Sequence, residues 1–155
     1  KNLITSIYMV PEVLEAHNRK LMARYAKAAE ELPEWRDYMM EDAEIVVVAY
    51  GTAGRIAQTA VKQARAEGIP VGLFRPISMF PFPYERLGEI ANLARQFLVV
   101  ELSAGQMIED VALALARSRP IHFLNRMGGI LVSPDEVVAK VKAVLDGESE
   151  EVHHG

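Results

Sequence analysis

From residue 44 onward, short apolar runs alternate with helical segments, and this alternation limits the possible folds more than any other feature. Residues 45–50 (IVVVAY), 69–75 (IPVGLFR), 97–101 (FLVVE) and 121–125 (IHFLN) are long enough for strands and too short for helices. The stretches between them carry helical patterning. Over residues 52–67, Ile56, Ala60, Val61 and Ala64 fall on one face, and Gly68 closes the helix. Residues 83–95 open on a proline at the first helical turn, and residues 105–117 form the next helix. Residues 133–145 close the pattern: Ser133 is a favourable N-cap, Pro134 sits at the first helical position, and Glu136 completes a capping box. Strands alternating with helices predict an α/β fold with a mostly parallel sheet, and right-handed crossovers place helices on both faces.

The runs VVVA and FLVV are the most apolar, which places them at the centre and orders the four predicted strands 2-1-3-4. The direction of winding then reverses between the first and third strands. Open α/β sheets bind ligands at such a switch point, beyond the carboxyl ends of the strands. Residues 51–55 and 101–106 would line that crevice.

Upstream, residues 11–32 predict a long helix. Val13, Leu14, Leu21, Met22, Tyr25, Ala28, Ala29 and Leu32 follow a 3-4 spacing, and Arg19, Lys20, Lys27, Glu30 and Glu31 form the opposite, solvated face. Pro33 ends the helix, and residues 34–43 (EWRDYMMEDA) read as a polar linker. The apolar face requires burial on the α/β body or on a second copy of it, which would make a homodimer. The expected division is therefore residues 1–43 as helix and linker packed on the body, 44–146 as the α/β domain, and 147–155 as a flexible tail.

Composition removes several function classes. The net charge of −4 offers no basic footprint for nucleic acid. No apolar run approaches the roughly 18 residues of a membrane span. The absence of cysteine excludes disulfides, cysteine-ligated zinc or iron–sulfur clusters and thiol nucleophiles, and fits a cytoplasmic protein. His17, His122, His153 and His154 show no helical metal-ligand spacing, so no metal site is assigned, and the last two are expected to be inert in the polar tail. No signal-peptide pattern is present, and a first residue of Lys1 is expected of a fragment or a processed product.

The candidate site residues cluster at the switch point. The loop GTAG (Gly51, Thr52, Ala53, Gly54) precedes a helix but lacks both the third glycine of G-x-G-x-x-G and the lysine of a P-loop. It reads primarily as a strand-to-helix turn. Its free N–H groups and positive helix end would still favour an anion, with Arg55 adding a bidentate contact. Glu101 ends a central strand. A buried carboxylate needs partners, so it caps the next turn, pairs with Arg55 or Arg75, or serves a ligand together with Ser103 and Gln106. His122, between Ile121 and Phe123, reads as a packed histidine. The proline-interrupted stretch 75–87 (RPISMFPFPYERL) holds Phe80 and Phe82 on a stiff loop. With Arg75 they form a docking surface, or the rings pack under the following helix.

Four motifs in order carry a family resemblance: EDAEIVVVAYGTAGRIAQTAV, VGLFRPISMFPFPYERL, FLVVELSAGQMIEDV and NRMGGILVSPDEV. Together, across residues 10–145, they resemble the C-terminal domain of the α subunit of 2-oxoacid:ferredoxin oxidoreductases, nearest the 2-oxoisovalerate and 2-oxoglutarate branches. That domain is similar to the C-terminal domain of transketolase. The resemblance implies a three-layer α/β/α architecture, with an antiparallel edge strand as an option. Gly51, Arg55, Arg75, Pro81, Pro83, Glu101, Gly105, Gln106 and Gly129 match the family pattern. Gly54 stands where a small side chain is expected, and Ser103 where asparagine is expected.

The resemblance also implies the function. Such enzymes oxidatively decarboxylate a 2-oxoacid on thiamine diphosphate, form an acyl-CoA and pass electrons through iron–sulfur clusters to ferredoxin. This chain has no cysteine and no Gly-Asp-Gly of the diphosphate-binding kind. It is expected to be a non-catalytic domain, silent alone, that serves assembly and shapes the active-site entrance beside catalytic and iron–sulfur domains or subunits. The alternative is a standalone α/β domain that binds an anionic small molecule in the switch-point crevice. No G-x-S-x-G elbow supports a hydrolase.

Overall fold

A computed structural model describes residues 7–152. The elements run α1 (Pro11–Glu31), β1 (Trp35–Tyr38), β2 (Ile45–Ala49), α2 (Gly51–Ala66), β3 (Val71–Pro76), α3 (Tyr84–Ile90), β4 (Gln96–Glu101), α4 (Met107–Ala114), β5 (Ile121–Asn125) and α5 (Pro134–Leu145). The sheet order is β1-β3-β2-β4-β5. The last four strands are parallel in the order expected from their apolarity.

Alternation along the strands builds two cores. Val46, Val48, Phe74, Phe97 and Val99 face α3 and α4, meeting Leu87, Ile90, Met107 and Val111. Ile45, Val47, Leu73, Leu98 and Val100 face α2 and α5, meeting Ala57, Val61, Val137 and Val141. Both faces of β2 and β4 are covered, which explains their unbroken apolar runs. The result is three layers, α/β/α. The small residues along α2 let that helix lie close to the sheet. At the start of α5, Ser133 Oγ accepts the Glu136 N–H, and Glu136 accepts the Ser133 N–H, the expected capping box.

Three expectations about the ends of the chain are corrected. Residues 34–43 are not only a linker: Trp35–Tyr38 forms the edge strand β1, antiparallel to β3. Its WRDY sequence is half charged and mostly exposed, as edge strands that resist further pairing are. The α/β unit thus begins before residue 44. The segment after α5 is not a free tail as far as residue 152. Val152 N–H donates to Ile121 O at 2.8 Å, and Ser149 and Glu150 bond to His122. His153 and His154 lie outside the described residues. Finally, α1 forms where expected, but it does not bury its apolar face on the body: none of its residues is buried. It meets the body through an edge-on contact of Tyr25 with Phe80, their ring centroids 6.1 Å apart.

Candidate functional site

The switch point lies between β2 and β4, where Ala49 pairs with Val100. The turns at residues 51–55 and 101–106 leave the same edge of the sheet, one toward the α2 face and the other toward the α4 face. Gly51 takes φ +54 to turn the chain straight from β2 into α2, and no side chain caps that helix. Thr52 and Arg55 are exposed beside it, while Gly54 is buried.

Glu101 is fully buried, and its carboxylate is saturated by its own loop. Oε2 accepts the Ser103 hydroxyl at 2.6 Å, the Gln106 N–H at 3.0 Å and the Met107 N–H at 3.2 Å; Oε1 accepts the Ile108 N–H at 2.9 Å. A carboxylate that accepts the orphan donors of a helix N-terminus also meets the positive end of its dipole. Of the roles open to Glu101, capping α4 is the one observed. No ion pair links it to Arg55 or Arg75 among the described residues. Ser103 supplies a hydroxyl donor where asparagine was expected, and its carbonyl accepts from Asn125 Nδ2 at 2.8 Å. Gly105, at φ +108, makes the turn; Gln106 is exposed, and its side chain does not cap the helix.

Arg55 and Arg75 come together elsewhere, in a cleft of about 590 Å³ on the β1–β3 side, lined also by Glu34, Trp35, Arg36 and Ile77. Sequence reasoning passed over Arg36, because only the unforeseen β1 pairing sets it opposite Arg75. Nε of Arg75 is buried without a hydrogen-bond partner.

The two phenylalanines divide: Phe82 is 3% exposed and belongs to the core, and Phe80 is 77% exposed. Phe80, Tyr25, Trp35 and Tyr84 line a groove of about 980 Å³ between α1 and the proline-rich loop. Tyr84 donates to Asp110. Partial burial and this carboxylate push the phenol up to about 12. His122 is buried as a packed histidine: Nδ1 lies 3.0 Å from both Ser149 Oγ and Glu150 O, and Nε2 lies 3.1 Å from Gln96 Oε1. Burial pushes its pKa below the ordinary value, despite the opposing carbonyl contact. Among the described residues, no group of three or more His, Asp or Glu side chains could hold a metal ion, and no helix is long and apolar enough to cross a membrane.

A family model described as pyruvate:ferredoxin oxidoreductase core domain II matches residues 43–137. The chain belongs to this family. It is 45% identical over 150 residues to the ketoisovalerate oxidoreductase subunit VorB of Methanothermobacter thermautotrophicus, covering 97% of this chain and 42% of that protein. The chain therefore spans less than half the length of this curated relative. The fold matches 2-oxoglutarate:ferredoxin oxidoreductase from Magnetococcus marinus, solved with 2-oxoglutarate, coenzyme A and succinyl-CoA bound. That match has a TM-score of 0.71 at 17% identity and covers 87% of this chain and 24% of that one. It also matches a split-gene transketolase in an inactive β4 tetramer, with a TM-score of 0.59 at 22% identity over 72% of this chain and 42% of that one. The transketolase-like three-layer α/β/α fold that the sequence resemblance implied is thus the fold observed.

Proposed function

We propose that this core domain II is the non-catalytic C-terminal domain of an α subunit in a thiamine-diphosphate-dependent 2-oxoacid:ferredoxin oxidoreductase. In this reading the full cytoplasmic complex converts a 2-oxoacid, of the ketoisovalerate kind, to its acyl-CoA. The domain docks on the catalytic parts and shapes their entrance. Support comes from the named relatives and above all from α1, which exposes Val13, Leu14, Met22 and Tyr25 and has no fully buried residue. An amphipathic helix of 21 residues with a wet apolar face needs a partner surface.

The implied iron–sulfur clusters do not fit this chain's own donors. It has no cysteine thiolate for an iron–sulfur cluster, and the carboxylate at its switch point is occupied by α4. The clusters therefore belong to other domains or subunits in this reading, and no chemical step is assigned here.

Co-expression with the thiamine-binding part of the enzyme, followed by size-exclusion chromatography with light scattering, tests the proposal. A stable complex is expected, lost when Leu14 and Met22 are both changed to Glu. A chain that remains a monomer in both cases would overturn the reading. So would turnover of 2-oxoacid, CoA and thiamine diphosphate with a viologen acceptor by the purified chain alone.

A further inference from the structure

The cleft between β1, β3 and the start of α2 gathers three arginines that make no ion pair among the described residues. Arg36 and Arg75 are register partners on antiparallel strands, so their side chains leave the same face of the sheet. Like charges set directly opposite each other oppose strand pairing. Arg55, in the first turns of α2, lines the same cleft.

Four other cations of the α/β body do have carboxylate partners. Arg65 pairs with Asp42, Arg86 with Asp37, Arg126 with Glu136 and Lys142 with Glu67. Strand alternation sends Asp37, the acid next to Arg36, to the opposite face, where it holds Arg86 at 2.7 Å. Among the described residues, Glu34 is the only carboxylate lining the cleft, and it pairs with none of the three arginines. Among the described residues, no ion pair neutralises Arg36, Arg55 or Arg75.

The backbone is shaped to seat one of these cations. A Cβ at Gly54 would stand 3.0 Å from Arg75 Nε and 3.2 Å from its Cδ. Glycine at this position, where a small side chain was expected, leaves the space that the Arg75 side chain fills against α2. The Arg75 Nε is buried there with no acceptor. A desolvated guanidinium N–H without an acceptor is costly, and a carboxylate or phosphate oxygen is its best-matched partner.

We propose that this cleft binds a small oxyanion carrying at least two negative charges, of the phosphate or dicarboxylate class. Three guanidinium groups facing a single unpaired carboxylate leave an excess of positive charge that one monoanion would not balance. The volume of about 590 Å³ admits a group larger than a single carboxylate. The site lies beside the β3 end of the sheet, not at the β2–β4 switch point, where Glu101 is already occupied. It stands whether or not α1 docks on a partner domain, since none of its arginines lies on α1.

The test is titration of the ¹⁵N-labelled chain with inorganic pyrophosphate and, separately, with malonate, at about 0.15 M salt to screen diffuse attraction. Saturable shifts are expected at residues 35, 36, 54, 55 and 75, with a dissociation constant below about 1 mM for one of the two probes. The tighter probe assigns the class. Arg36→Gln and Arg75→Gln are each expected to weaken binding about tenfold or more, while Lys62→Gln, exposed on α2 away from the cleft, leaves it unchanged. Arg36 is exposed on the edge strand, so its variant reports binding even if Arg75→Gln unfolds, which a thermal melt would show. Three results would overturn the site: no saturation below about 10 mM; equal weakening by Lys62→Gln; or a hexaglutamate peptide that binds more tightly than either probe, which would make the cleft a protein contact.

Discussion

Substituting Glu101 by Gln keeps the shape of the side chain and removes only its charge and one acceptor. The carboxylate accepts one hydroxyl and three backbone N–H groups. If the glutamine carbonyl takes the place of Oε2, its NH₂ faces the Ile108 N–H, and two donors oppose each other. One buried N–H is then unsatisfied, at about 1–3 kcal/mol. The three remaining bonds fall from charge-assisted to neutral strength, a loss on the order of 1 kcal/mol each. Loss of the negative charge at the α4 N-terminus removes roughly a further 1 kcal/mol. Neutralising a buried carboxylate offsets part of this by relieving its desolvation. The net expectation is a destabilisation of about 2–4 kcal/mol, with a Tm lowered by roughly 5–15 °C for a chain of this size. Glu101→Ala, which orphans all four donors and leaves a cavity, should cost more, about 4–5 kcal/mol. Urea unfolding followed by far-UV circular dichroism gives the free energies. Hydrogen exchange should show the amides of residues 106–108 losing protection first. A Gln variant within about 1 kcal/mol of the parent would show that the charge does not hold α4, and the argument for Glu101 as a cap would fail.

Ser133→Ala should remove the capping box of α5 and cost about 1 kcal/mol in urea unfolding, while Ser133→Gly should cost only a few tenths. Glu136 is held down to about 2 by the Ser133 N–H and by Arg126, so the stability it contributes is present above its ordinary value of 4.5 and lost as pH falls toward 2; Glu136→Gln should flatten that part of an acid-unfolding curve. For His122 the folded pKa lies below 6.5, so the unfolded chain binds the proton first; stability should be full above about 6.5 and decline as pH drops through the folded pKa, a slope that His122→Gln should remove in denaturant titrations between about pH 7.5 and 5. Gly72→Ala should destabilise by about 1–3 kcal/mol, because its Cβ would fall 2.7 Å from Met40 Sδ and 3.0 Å from the backbone oxygen of Met39; an unchanged unfolding midpoint would show that the segment before β2 yields freely.

What the sequence by itself determined is whatever depends on local pattern. Run length and apolarity placed β2 to β5 and their order, since strands covered on both faces must be continuously hydrophobic. Residue spacing marked the helices between them, and Ser133, Pro134 and Glu136 announced their cap within a single turn. What only the tertiary structure decided is the partner of each polar or ambiguous group. WRDY became a strand because β3 offered it an edge, and that pairing set Arg36 against Arg75. Glu101 could have met an arginine, a ligand or a helix end, and the path of the loop through Ser103 and Gly105 selected the helix end. Phe80 and Phe82, two residues apart on one stiff loop, took opposite environments. His122 found its partners in a segment that composition alone marked as a loose tail. Hydrophobic periodicity can be read locally because it reflects a residue's own element. The satisfaction of a charge or a hydrogen bond depends on which distant backbone arrives beside it.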